Sequence, residues 1–166
     1  MKITTKVSFG EYARLLFSLT YQRPIMKVLV GIAILLLLWV ACYYFGLLDL
    51  PEPLIYQFAT LVLILVVQPI VIFTTIRKTY HSSNHISEIL KMEILKDEIR
   101  IVGESFYMEV RWDKMFKIVE KPKWFLIYQN SLSAIIVPKK DLTSNEKETF
   151  IQTLKGLKNV PVELIG

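Results

Sequence analysis

His81 and His85 stand four residues apart, a spacing that on a helix turns both imidazoles to one face and offers half of a zinc site. A zinc ion wants three or four protein ligands, and the chain beyond residue 80 has no third histidine and no cysteine. The pair therefore reads as part of a polar linker over residues 80–87, and no metal or cofactor is expected. Asp97, Glu98, Asp113 and Glu120 include no two carboxylates that spacing alone places together, so no acid–base dyad is read. There is no serine or cysteine nucleophile motif, no phosphate-binding glycine loop and no Walker sequence. The expectation is a protein that is not an enzyme. Trp112, Phe116, Trp124, Phe125 and Tyr128 read as the core of a small sheet rather than a ligand box.

Two further groups invite contact rather than catalysis. Gln68-Pro69 interrupts a long apolar run. Proline lacks the backbone donor and its ring collides with the carbonyl of Leu65, so a kink is expected there. The Gln68 amide must hydrogen-bond within that apolar surrounding. It can reach across a homo-oligomer, or it can satisfy the backbone freed near Ile64 or Leu65. Lys121, Lys123, Lys139 and Lys140 fall near predicted strand ends. Converging, they would touch anionic lipid headgroups, at about 1 kcal/mol per charge. Apart, they form a solvated rim balanced by Glu120 and Asp141.

These groups hang on two stretches without any charge. Residues 28–48 and 54–76 hold 21 and 23 uncharged residues. As helices they reach roughly 31 and 35 Å, against a hydrocarbon core of about 30 Å. Pro51 and Pro53 fit a tight hairpin between them, and Tyr43, Tyr44 and Tyr56 lie near its outer end. By rise per residue Gln68 falls level with Leu35 and Leu36 of the first span. The only cysteine, Cys42, lies within that span and reads as a packing residue.

The net charge of +5 is unevenly spread. Residues 1–27 carry +4, the turn between the spans −2, Arg77 with Lys78 +2, and residues 81–166 only +1. The excess flanks the spans on one side, the positive-inside pattern, which puts both termini in the cytoplasm. A nucleic-acid partner would need the surplus on the C-terminal region, and none is expected. Twenty-seven residues precede the first span and the apolar run is long, so no secretory signal peptide is read.

Residues 2–9 alternate, with Ile3, Thr5, Val7 and Phe9 on one face: a strand. An amphipathic helix follows to about Gln22. Beyond Ile89 the pattern predicts strands over 91–96, 98–103, 106–112, 115–120, 124–129 and 133–137, as one antiparallel meander. Thr143-Ser144-Asn145-Glu146 opens a helix whose apolar stripe is Phe150, Ile151, Leu154 and Leu157. A lone N-terminal strand leaves its edges open, so it is expected to join the C-terminal sheet. The domain plan is a strand and amphipathic helix over 1–27, a transmembrane hairpin over 28–78, and a cytoplasmic β domain with a C-terminal helix over 79–166.

The string Trp112-Asp113-Lys114-Met115-Phe116-Lys117-Ile118-Val119-Glu120, then Phe125-Leu126-Ile127-Tyr128, then Ile135-Ile136-Val137-Pro138-Lys139-Lys140-Asp141-Leu142 resembles the YcxB-like family of bacterial membrane proteins. Here Lys140 stands for the family's usual arginine and Leu142 for an aromatic. The resemblance implies an α+β membrane protein with two membrane helices, a small C-terminal domain of pleckstrin-homology-like character, and a bacterial inner-membrane location. It implies no enzymatic activity. The function expected is a membrane-anchored binding or scaffold module that meets membrane lipids and a protein partner. The alternative is self-protection, or immunity, against a bacteriocin or another membrane-active toxin.

Overall fold

The computed structural model describes residues 1–131 and 133–165. They fold as two units: Met1–Ser8 with the chain from Ser83 onward, and Phe9–Ser82.

The second unit is helical. Helix α1 (Phe9–Tyr21) buries Tyr12, Ala13 and Leu15. Helix α2 (Pro24–Tyr44) begins four residues earlier than the charge pattern suggested. Pro24 suits a first turn, where its fixed φ is helical and its missing N–H needs no partner. The helix stops short of Leu48 because Gly46 takes a φ of 63°. Its N–H then donates to the Tyr43 carbonyl at 3.1 Å, and the Leu47 N–H donates to the Cys42 carbonyl at 3.0 Å. This double closure satisfies the last carbonyls and requires a left-handed residue that glycine adopts freely.

The return arm is α3 (Ile55–Val62), a π turn (Leu63–Val67) and α4 (Gln68–Ser82), one run of 28 residues. The expected kink takes the form of that π turn. The Gln68 N–H reaches back five residues to the Leu63 carbonyl, and the widened turn makes room for the Pro69 ring. The run continues past Ile76 to Ser82, because no proline or glycine stands in residues 77–82 to end it. The expected linker over 80–87 is therefore helical through Ser82, and a further turn, α5, covers Asn84–Ser87. The two arms meet on a seam of Ala33, Leu61 and Ile64 flanked by Leu29, Leu36 and Val40. Small Ala33 lets the backbones approach. Most other apolar side chains point outward; Leu35 is 68% exposed and Ile55 75%. Both arms are long and apolar enough to cross a membrane, with mean hydropathies of 2.7 and 2.4.

The first unit is a two-sheet sandwich. Strands β1 (Lys2–Thr5), β2 (Leu90–Ile94), β3 (Glu98–Val102) and β4 (Tyr107–Arg111) form one antiparallel sheet in that order. β1 joins β2 as expected, with Ile3 opposite Met92. Strands β5 (Lys117–Lys121), β6 (Trp124–Tyr128), β7 (Ala134–Pro138) and β8 (Val162–Glu163) form the second, in the order β7-β6-β5-β8. The single meander expected from the pattern is thus broken in two. A 3₁₀ turn at Trp112–Lys114 redirects the chain between β4 and β5. β8, too short to read by periodicity, adds a parallel pair to β5. Helix α6 (Ser144–Lys155) closes the core and is capped as the sequence predicts. The Thr143 hydroxyl accepts from the Glu146 N–H at 3.3 Å, and the Glu146 carboxylate accepts from the Thr143 N–H at 2.8 Å. One core joins Ile3, Met92, Ile99 and Ile101 to Ile118, Phe125, Ile127, Val137, Phe150 and Leu154. The Phe125 and Phe150 rings pack edge to face at 4.9 Å. Of the aromatics assigned to that core, Trp112 and Phe125 are buried, Trp124 and Tyr128 are half-buried, and Phe116 is 53% exposed. Phe116 precedes β5, outside the alternating pattern that carries Ile118 inward.

Candidate functional site

The residues that carry the resemblance turn out to build the β unit. Trp112 is buried, and its indole N–H donates to the Leu95 carbonyl at 3.0 Å, tying the 3₁₀ turn to the β2–β3 hairpin. Glu120 lies on the core face of β5, two residues past buried Ile118. One carboxylate oxygen contacts the Lys139 ammonium; the other accepts from the Ile165 N–H at 3.0 Å. Their side chains are only 5% and 12% exposed. The Lys139 ammonium also sits 4.9 Å from the Phe125 ring centroid. This clasp joins β5, the end of β7 and the C-terminal segment.

The four lysines do gather at one end of the second sheet, because the Lys139 N–H bonds to the Lys123 carbonyl beside the β5–β6 turn. Their ammonium groups are not equivalent. Lys139 points inward to Glu120, while Lys123 and Lys140 are exposed and Lys121 is half-buried. Asp141, read as part of the charge balance, instead accepts from the Lys6 N–H at 3.2 Å, holding the chain just past β1.

In the helical unit, the Gln68 amide N–H points to the Met26 sulfur at 3.1 Å. Sulfur is a weak acceptor. Met26, rather than Leu35 or Leu36, lies opposite. His81 stacks near Phe9 at 6.1 Å, and His85 meets Phe106 edge-on at 6.4 Å. Among the described residues no three of His, Cys, Asp and Glu are grouped to hold a metal.

The β3–β4 loop is pinned by one carboxylate. Glu88 accepts from the Glu104 N–H at 2.7 Å, the Ser105 N–H at 2.9 Å and the Ser105 hydroxyl. Asn84 donates to that same hydroxyl oxygen at 2.7 Å. Gly103 permits this closeness: a Cβ there would lie 2.7 Å from a Glu88 oxygen and closer still to the Phe106 ring. Gly103→Ala is expected to destabilise the β unit by about 1–3 kcal/mol, read as a lower urea midpoint. An unchanged midpoint would show the loop free to relax.

The Ser105 hydroxyl, followed by its N–H, holds the Glu88 carboxyl below the ordinary glutamate value of 4.5. The Thr143 N–H does the same for Glu146. On the outer face of the first sheet, Glu109 is lowered by the Tyr107 hydroxyl, then by Glu98 and Arg100. Each folded value lies below the unfolded one, so these contributions are full above pH 4.5 and are lost as pH falls through the folded values. Stability is expected to decline on acidification below about pH 4.5. Glu88→Gln should flatten that decline in urea titrations run at several pH values.

Among the described residues, an open cleft and an edge strand of this unit could meet a partner. An open cleft of about 630 Å³ lies between the β2–β3 turn, at Leu95, Lys96 and Asp97, and the end of α6, at Gln152 and Lys158. The second is β4. Its outward side chains Tyr107, Glu109 and Arg111 are exposed, and Arg111 holds Asp113 by two bonds of 3.1 and 2.9 Å. Periodicity marked β4 as a strand, but only the sheet order identifies it as an edge.

Residues 94–154, from the end of β2 into α6, match the family model described as YcxB-like protein. This bears out the resemblance read from residues 112–142. No curated protein and no solved structure matches the chain.

Proposed function

We propose that this chain is a membrane-anchored binding module: a β domain of pleckstrin-homology-like build held at a bacterial inner membrane to meet a protein partner or the lipid surface. One observation carries the reading. The chain leaves the β unit at Ser8 and returns to it at Ser83, with β1 and β2 sharing one ladder. An apolar hairpin whose two ends enter the same folded unit has both ends on one side of a bilayer. The outward-facing apolar side chains suit lipid, where every helical backbone group is already paired. The basic flanks, Arg14, Arg23, Lys27, Arg77 and Lys78, favour the cytoplasmic side. Two antiparallel-rich sheets closed by a C-terminal helix support the pleckstrin-homology-like assignment.

Cysteine labelling tests the topology. In a Cys42→Ser background, single cysteines replace Thr4, Glu52 and Lys158, and intact cells receive a membrane-impermeant maleimide. Labelling at position 52 alone is expected. Labelling at position 4 or 158, or recovery of the chain in solution without detergent, overturns the anchor.

A further inference from the structure

Among the described residues, strand β4 has one edge without a strand partner. The Trp112 N–H donates to the Asp97 carbonyl and the Gly103 N–H to the Phe106 carbonyl. By alternation Phe106, Met108, Val110 and Trp112 turn their backbone groups toward β3. Tyr107, Glu109 and Arg111 therefore aim theirs outward, and among the described residues nothing bonds to them. Such a row is a template for another strand unless it is blunted. The strand contains no proline, and Tyr107 is 60% exposed.

We propose that the edge pairs with a second copy of this chain, the two β4 strands running antiparallel with Val110 on the two-fold axis. Charge selects this occupant and this register. Glu109 then lies opposite Arg111 of the second copy, and Arg111 opposite Glu109 of the second copy. Both residues belong to the outward-bonding set, so they exchange N–H···O=C bonds in reciprocal pairs. Their side chains meet as opposite charges on the outer face of the widened sheet. Val110 meets its own counterpart at a non-hydrogen-bonded position, with Cα atoms about 4.5 Å apart. The register with Glu109 on the axis obeys the same bonding alternation but sets two carboxylates face to face. The Arg111 bond to Asp113 is surface-exposed and solvent-screened, so the guanidinium is free to turn. The strand is short, which places the contact among weak associations. The inference goes beyond the anchoring proposal and does not require it; confinement in a bilayer would raise the effective concentration.

Two differently tagged full-length copies are co-expressed, and co-capture is measured after brief crosslinking. E109R alone in both copies, or R111E alone, sets like charges opposite each other at both positions and is expected to lower capture about tenfold. Pairing E109R in one copy with R111E in the other restores opposite charges at both positions. So does the double variant E109R/R111E in both copies. Both arms are expected to return capture to within about twofold of the parent. In a Cys42→Ser background, Val110→Cys is expected to give disulfide-linked dimers on mild oxidation. The proposal is overturned if the parent chain shows no self-capture, if the single variants capture as well as the parent, if either restoring arm fails at an unchanged melting temperature, or if Val110→Cys gives no linked dimer.

Discussion

Lys139→Met is expected to destabilise the β unit by about 3–5 kcal/mol, because it strands the buried Glu120 carboxylate. The loss is not that of a surface ion pair, which is usually under about 1 kcal/mol. Glu120 would keep the Ile165 N–H but lose the Lys139 ammonium, on a side chain that is 5% exposed. Removing both charges should be far milder. Glu120→Gln with Lys139→Met keeps an acceptor for Ile165 and leaves no buried charge, so stability should return to within about 1 kcal/mol of the parent. Urea titration of the full chain in detergent, read by tryptophan fluorescence, compares both with Lys123→Met as the exposed control. A Lys139→Met midpoint no lower than that of Lys123→Met would mean that the clasp does not hold the fold.

The second large effect concerns β1. A segment beginning at Ser83 lacks Ile3, which is 3% exposed and packed in the core against β2. It also lacks the bond from the Lys6 N–H to Asp141. Loss of Ile3 and Val7 from the interior is expected to cost roughly 3 kcal/mol or more and to open the edge of β2. Such a segment should aggregate or show little cooperative melting. Joining residues 1–8 to residues 83–166 through a flexible glycine-serine linker, with the apolar hairpin deleted, should restore a cooperative unit. Near-ultraviolet circular dichroism during thermal melting separates the two cases. Equal melting of the pieces would show that β1 is dispensable.

Much of this architecture could be read before the fold was known, where a local rule decides it. Lack of charge marks both apolar arms, strict alternation marks β1, and Asp97 between two alternating runs marks the β2–β3 turn. Thr143 and Glu146 mark the start of α6. What escaped depends on distant partners or on single backbone angles. Gly46 and Pro24 set the ends of α2, and the packing of the two arms sets Gln68 against Met26, about two and a half turns from Leu35 and Leu36. The division into two sheets turns on the short bend at Trp112–Lys114, and β8 has only two residues. The Glu120–Lys139 pair was hidden because both residue types belong to surfaces by default. One signal was available: Glu120 is in phase with Ile118 along a strand, so its side chain had to enter the core or break the period. The open edge of β4 has no local signature, since pairing is a property of neighbours.

The ladder between Lys2 and Glu93 also orders events during synthesis. The first strand leaves the ribosome long before its neighbour exists, and the whole helical unit, α1 with both apolar arms, is translated in between. Until β2 has emerged, the opening residues have nowhere to dock. Completion of the β unit thus waits on synthesis of the whole helical unit. A nascent chain halted before β2 would display both an orphan strand and bare apolar helix surface, the two marks by which quality-control proteases and chaperones find their clients.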